Sequence, residues 1–74
     1  MLQRGADRFP LLTSRQKEVV QLVADGLTDK DIARRLGIRY RTVRSHLETV
    51  YLKFGVTTRA GLVGVYLRRG HHMR

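Results

Sequence analysis

Three glycines, Gly26, Gly37 and Gly55, each follow an apolar-patterned stretch and cut the chain into segments of helical length. Glycine enters the left-handed conformation that closes a helix C-terminus without steric cost, so each glycine reads as a stop. Start signals precede the same stretches. Thr13 with Gln16 three residues on fits a capping box, in which hydroxyl and amide each satisfy an orphan backbone N–H. Thr28 offers a second cap, with Asp29 and Asp31 in the first turn, where carboxylates complement the helix dipole. Thr57 or Thr58 offers another. The punctuation predicts helices over about 14–25, 29–36, 40–54 and 58–68. Alternation of period two never persists, so no strand is expected and the fold class is all-α, a four-helix bundle.

A chain of 74 residues allows one domain and one core. Without cysteine there is no disulfide and no thiolate metal site, and of the three histidines His71 and His72 form an adjacent pair that lacks the other ligands of a zinc shell. No metal or cofactor is therefore expected, and helix packing alone must hold the core. Residues 1–11, with Gly5 and Pro10 and no period, read as a flexible arm; residues 12–68 form the domain and 69–74 a basic tail. No apolar run approaches the roughly 20 residues of a membrane helix and no secretory leader is evident, so a soluble, cytoplasmic protein is expected. The formal charge of +9 calls for a polyanionic partner, and double-stranded DNA is the densest available.

The helix faces sharpen that reading. In the first helix Val19, Val20, Leu22, Val23 and Ala24 make one broad apolar stripe. Ile32, Ala33 and Leu36 share a face of the second, and Ile38 plugs the core from the turn after Gly37. On the third helix, at roughly 100° per residue, Leu47, Val50 and Phe54 fall within about 40° of Val43 and define the buried face. The opposite face holds Arg41, Ser45, Glu48 and Leu52, flanked by Arg44 and Thr49. On the fourth helix Leu62, Val63, Tyr66 and Leu67 make the core stripe, leaving Gly61, Gly64, Val65 and Arg68 outward. A short capped helix, a glycine turn and a longer helix with a polar outward face form the layout of a helix-turn-helix, whose second helix enters the major groove. Arg41, Arg44, Ser45, Glu48 and Thr49 can bond base edges and phosphates, and Lys30 can meet a phosphate at the second helix's start.

Four linked motifs carry a family resemblance: Leu12-Thr13-x-Arg15-Gln16-Lys17-Glu18-Val19; Ala24-x-Gly26-Leu27-Thr28-x-Lys30-x-Ile32-Ala33-x-x-Leu36; Thr42-Val43-Arg44-x-His46-Leu47; and Lys53-Phe54-Gly55-Val56-x-x-Arg59. Together they closely resemble the LuxR-type DNA-binding domain over about residues 12–68. The resemblance implies a four-helix domain, a dimer through the fourth helix and a role in transcription regulation. Position by position, it implies that Arg44 and Ser45 face bases, with Glu48 one turn further along, and that Lys30, Thr42 and His46 approach the phosphate backbone. Arg39 stands where the family usually has a serine cap, a loss of about 1 kcal/mol, and offers a phosphate contact instead. Glu48 stands where the family more often has Asn or Lys.

The candidate base contacts are thus Arg44, Ser45 and Glu48, and the candidate backbone contacts Lys30, Arg39, Arg41, Thr42 and His46. Gly61, Gly64, Val65 and Arg68 form the candidate dimer face. Duller roles stand beside these. His46 also suits packing, Glu18 local hydrogen bonds, and Glu48 a pairing with Arg41 or Arg44. Arg59 can anchor the fourth helix, touch phosphate, or do both. The expected partners are double-stranded DNA and a second copy of the chain, with RNA polymerase a candidate third. Acids scattered over helix starts and one groove face do not converge as an enzyme site requires. Two other readings compete. A sigma-factor region-four domain would bind promoter and polymerase but would not predict the Gly55-Val56-x-x-Arg59 junction. A protein-interaction module that has lost DNA binding would not need Lys30, Thr42 and Arg44.

Overall fold

The computed structural model describes residues 11–72, with side chains described through residue 68. Four helices follow in order: α1 Ser14–Ala24, α2 Asp29–Leu36, α3 Tyr40–Phe54 and α4 Arg59–His72, with no strand among the described residues. The sequence punctuation operates as local physics requires. The Thr13 hydroxyl accepts from the Gln16 N–H while the Gln16 side chain accepts from the Thr13 N–H, completing the capping box. Thr28 accepts from the Asp31 N–H at 3.1 Å, and Thr58 accepts from the Gly61 N–H at 2.9 Å. Gly37 and Gly55 close α2 and α3 at φ 68° and 69°, where any other L-residue would be strained. Arg39 makes no side-chain cap, so the start of α3 lacks that stabilisation, as its residue type implies.

α1 packs against each of the other three helices, and α3 also packs against α2 and α4. The core is Leu12, Val19, Val20, Val23, Ile32, Ala33, Val43, Leu47, Val50 and Leu62, with Leu36, Ile38, Phe54, Val63 and Tyr66 half-buried around it. Fully burying a Val, Leu or Ile side chain contributes about 1.5–3 kcal/mol, so this one cluster carries the fold. Two expectations about α4 are corrected. Its backbone continues to His72 rather than ending near Arg68, because no proline interrupts it and the hydrogen-bond ladder does not require the apolar stripe to continue. Leu67 is exposed rather than in the core stripe, since α1 and α3 cover α4 only along the Leu62, Val63 and Tyr66 side. The expected arm lies outside the described residues apart from Leu11, and the expected basic tail overlaps the end of α4 at residues 69–72.

Two polar ties link distant parts of the chain. The Lys53 ammonium, in the last turn of α3, donates to the Leu11 carbonyl at 2.9 Å and to the Gln16 amide oxygen at 3.1 Å. It thereby clips the C-terminal end of α3 onto the capping box of α1. The Tyr66 hydroxyl donates to Gln21 Oε1, and Gln21 Nε2 donates to Asp25, joining α4 to α1. Burial pushes the Tyr66 phenol above its ordinary value, and the Asp25 carboxylate adds repulsion against the phenolate. The folded state therefore favours the neutral phenol. Its contribution to stability is complete below the unfolded value of about 10 and is lost as pH rises through the folded value. Urea midpoints measured between about pH 8 and pH 11 should fall more steeply for the wild type than for Tyr66→Phe. The difference between the two proteins' ultraviolet titrations should place the Tyr66 phenol above its ordinary value.

Candidate nucleic-acid interface

The segment Asp29–Phe54 is a helix-turn-helix: α2, a turn through Gly37, Ile38 and Arg39, then α3. Val43, Leu47 and Val50 are buried beneath it, which turns Arg41, Arg44, Ser45, Glu48, Thr49 and Leu52 outward. All six are exposed, and Leu52, the one large apolar side chain among them, is 82% exposed. Lys30, in the first turn of α2, and Arg39, just before α3, are exposed. Thr42 and His46 are half-buried on one flank of α3, about 40° apart around the axis. Of the expected base and backbone residues, Arg41, Ser45 and Glu48 lie on the outward face of α3, Arg44 on its α2 side and Thr42 and His46 on the other flank, while Lys30 comes from α2.

Electrostatics on this surface are organised by a residue assigned in the sequence only to the helix dipole. Asp29, at the first position of α2, has a side chain just 13% exposed. One carboxylate oxygen accepts from Arg59 Nη1 at 2.6 Å, and Arg59 Nη2 donates to the Leu27 carbonyl at 2.7 Å. The guanidinium fork thus holds the carboxylate and the chain just before α2 at once. The second oxygen of Asp29 lies 3.7 Å from Arg44 Nη1. Arg59 accordingly acts as the anchor of α4, tying it to α2, a helix with which α4 shares little packing. An open cleft of about 520 Å³ beside this clamp is lined by Asp29, Lys30, Tyr40 and Arg59.

The local pairings differ from expectation in one respect. Arg44 pairs with Asp29, and among the described residues Glu48 forms no ion pair with either Arg41 or Arg44. The reason is geometric: Arg44 sits on the side of α3 nearest α2, where a more buried carboxylate waits. Glu18 pairs with Arg15 at 3.1 Å, a local i,i+3 bond. No sequence signal distinguished Asp29 from the other first-turn acid, Asp31, which instead lies 3.6 Å from Arg34 of its own helix.

On α4, Gly64 is open: a methyl group there would approach only the Arg68 guanidinium, at 3.6 Å. Gly61 is different. A methyl group there would meet the Thr58 hydroxyl at 3.1 Å and Val56 at 3.4 Å, so the close approach it serves lies within its own chain. Val65 is half-buried and Arg68 exposed. Among the described residues no group of His, Asp and Glu is arranged to hold a metal, and no helix is long and apolar enough to cross a membrane.

A four-helix domain whose second and third helices form a helix-turn-helix with an exposed cationic face defines a class of DNA-binding module. The model of bacterial regulatory proteins of the luxR family matches residues 10–66, and the chain belongs to that family. It is similar to spore germination protein GerE of Bacillus subtilis, 43% identical over 70 residues that cover 95% of each chain. It is 46% identical over 68 residues, 92% of its length, to a Mycobacterium bovis protein that bears the name of an HTH-type transcriptional regulator. The match to the monoamine regulon transcriptional regulator of Klebsiella aerogenes is 39% over 62 residues, 84% of this chain and 27% of that one. The chain spans about 8% of the length of that Mycobacterium bovis relative. The domain is thus a LuxR-type, helix-turn-helix, DNA-binding domain of the kind found in transcription regulators.

The clamp makes a stability prediction. Arg59→Ala leaves the nearly buried Asp29 carboxylate and the Leu27 carbonyl without their donor, and Arg59 itself is 39% exposed, so solvent screening moderates the loss. Urea unfolding should show a destabilisation of about 1–2 kcal/mol, with Arg59→Lys recovering part of it. An unchanged midpoint would mean that the clamp contributes nothing to holding α4.

Proposed function

We propose that this chain regulates transcription by sequence-specific binding of double-stranded DNA, with α3 in the major groove and two copies joined through α4. The observation that carries the reading is the division of α3 into a fully buried face and an exposed face of Arg41, Arg44, Ser45, Glu48 and Thr49. Arg44, Ser45 and Glu48 contact bases. Arg44 suits guanine O6 and N7, and Glu48 suits the cytosine N4 amino group. Lys30, Arg39, Arg41, Thr42 and His46 contact the phosphate backbone and set register. The dimer is formed across Gly64, Val65 and Arg68 of α4, supported by the open flank of Gly64 beside an apolar Val65; Gly61, expected on the same face, is turned toward its own Thr58 and Val56 and is left out of the contact. RNA polymerase is a further partner in this reading, engaged once the protein is on its site.

Selection of bound duplexes from a random-sequence pool tests the reading directly. Enrichment of two related half-sites about one helical turn apart supports it, and a pool that stays random overturns it. At the selected site Arg44→Ala should cost roughly 1–3 kcal/mol and relax preference at one base pair. Lys30→Ala should weaken all sequences about equally and reduce the salt slope of log K by about 1. Identical profiles for the two variants across a panel of mismatched sites would show the role assignment to be wrong.

Val65→Glu should abolish cooperative binding to the two-half-site duplex while preserving the circular dichroism spectrum and binding to a single half-site. Retained cooperativity places the contact between copies elsewhere.

A further inference from the structure

We infer that Asp29 is a positioning residue for DNA recognition, its carboxylate orienting Arg44 toward a single base pair while Arg59 holds that carboxylate in place. The inference deepens the DNA-binding reading and rests on it. Three features carry it. Asp29 is 13% exposed on a surface whose neighbouring charges are mostly cationic, and its two oxygens are divided between two arginines from different helices. The Arg59 contact, at 2.6 Å, is a charge-assisted hydrogen bond that fixes the carboxylate relative to α4 and the turn before α2. The Arg44 contact, at 3.7 Å, exceeds the hydrogen-bond range yet attracts, so it biases the guanidinium without consuming its donors.

The geometry of an arginine makes this division useful. Arg44 lies about 100° from the buried centre of α3, at the border between the outward face and α2, and its side chain is 54% exposed. An unguided side chain at such a border samples many rotamers and loses that freedom on reaching a base. A carboxylate beside one Nη atom restricts the fan of positions in advance, leaving the remaining N–H groups of the planar fork for a guanine edge. The same carboxylate repels phosphates, so it lowers affinity for DNA that offers Arg44 no base partner. Both effects widen the gap between the right and wrong base at one position.

Asp29→Asn separates orientation from architecture, because the amide oxygen still accepts from Arg59 while the charge that attracts Arg44 is gone. The experiment measures affinities of wild type, Asp29→Asn, Arg44→Ala and the double variant for the selected site and for all single-base changes in one half-site. Expected is a loss of about threefold to fivefold in discrimination at the base pair that Arg44 reads, as suits a half-exposed ion pair, with discrimination elsewhere preserved. Affinity for random DNA should be equal or higher. In the Arg44→Ala background Asp29→Asn should change no base preference. In the free protein the Arg44 side-chain Nε–H resonance should shift in Asp29→Asn, a readout independent of DNA. A uniform change at every position, or the same effect with and without Arg44, overturns the inference and leaves DNA recognition standing. If the wild type selects no site, both the recognition reading and the inference fall.

Discussion

Val43 and Val50 are completely buried and Leu47 nearly so, which fixes the rotation of α3 about its own axis. A helix anchored by three side chains within one narrow arc has no freedom to roll, because rolling would draw those side chains into water at about 1.5–3 kcal/mol each. The direction of every other side chain on α3 follows from that. Arg41, Ser45 and Glu48 point away from the core, Arg44 points toward α2, and Thr42 and His46 lie half-buried on the other flank. The exposed face of α3, proposed above to meet DNA, is thus a consequence of how a small core is filled.

With so little core, the ends of the helices need separate means of attachment. The turn through Gly37 and Ile38 sets α2 against α3, and the Lys53 ammonium fastens the end of α3 to the carbonyl of Leu11 and the amide of Gln16. Arg59 fastens α4 to Asp29 and Leu27. These ties are made by cations on one helix with oxygen acceptors on or just before another, in a chain of formal charge +9 that has only six acidic side chains to share. Two of the acceptors are neutral backbone carbonyls, Leu11 and Leu27, and a third is the Gln16 amide. The scarce acids are accordingly economical: Asp29 serves two arginines at once.

That scarcity connects stability with recognition. An arginine on the rim of a binding surface is useful only if its direction is limited, and limitation requires an opposing charge close by. A fully exposed carboxylate would be screened by water and salt, whereas one 13% exposed keeps more of its field. The clamp that secures α4 thus also supplies a fixed charge beside Arg44.

The sequence alone determined the helix boundaries within α1 to α3, the caps at Thr13 and Thr28, the closing glycines and the buried face of α3, because these depend on contacts no more than four residues apart or on a 3.6-residue period. It also carried the family, through motifs spread over the whole domain. The tertiary structure alone decided which of several exposed charges meet. Asp29 and Arg59 are 30 residues apart, Lys53 and Gln16 37, and Tyr66 and Gln21 45, so no periodicity links them. The same holds for α4. Its apolar pattern could not tell that Leu67 escapes cover or that Gly61 faces its own Val56, because both depend on where α1 and the preceding turn lie in space. Local hydrogen bonds and helical periodicity are written in adjacent residues, whereas the pairing of charges across helices exists only once packing has brought distant segments within a few ångströms.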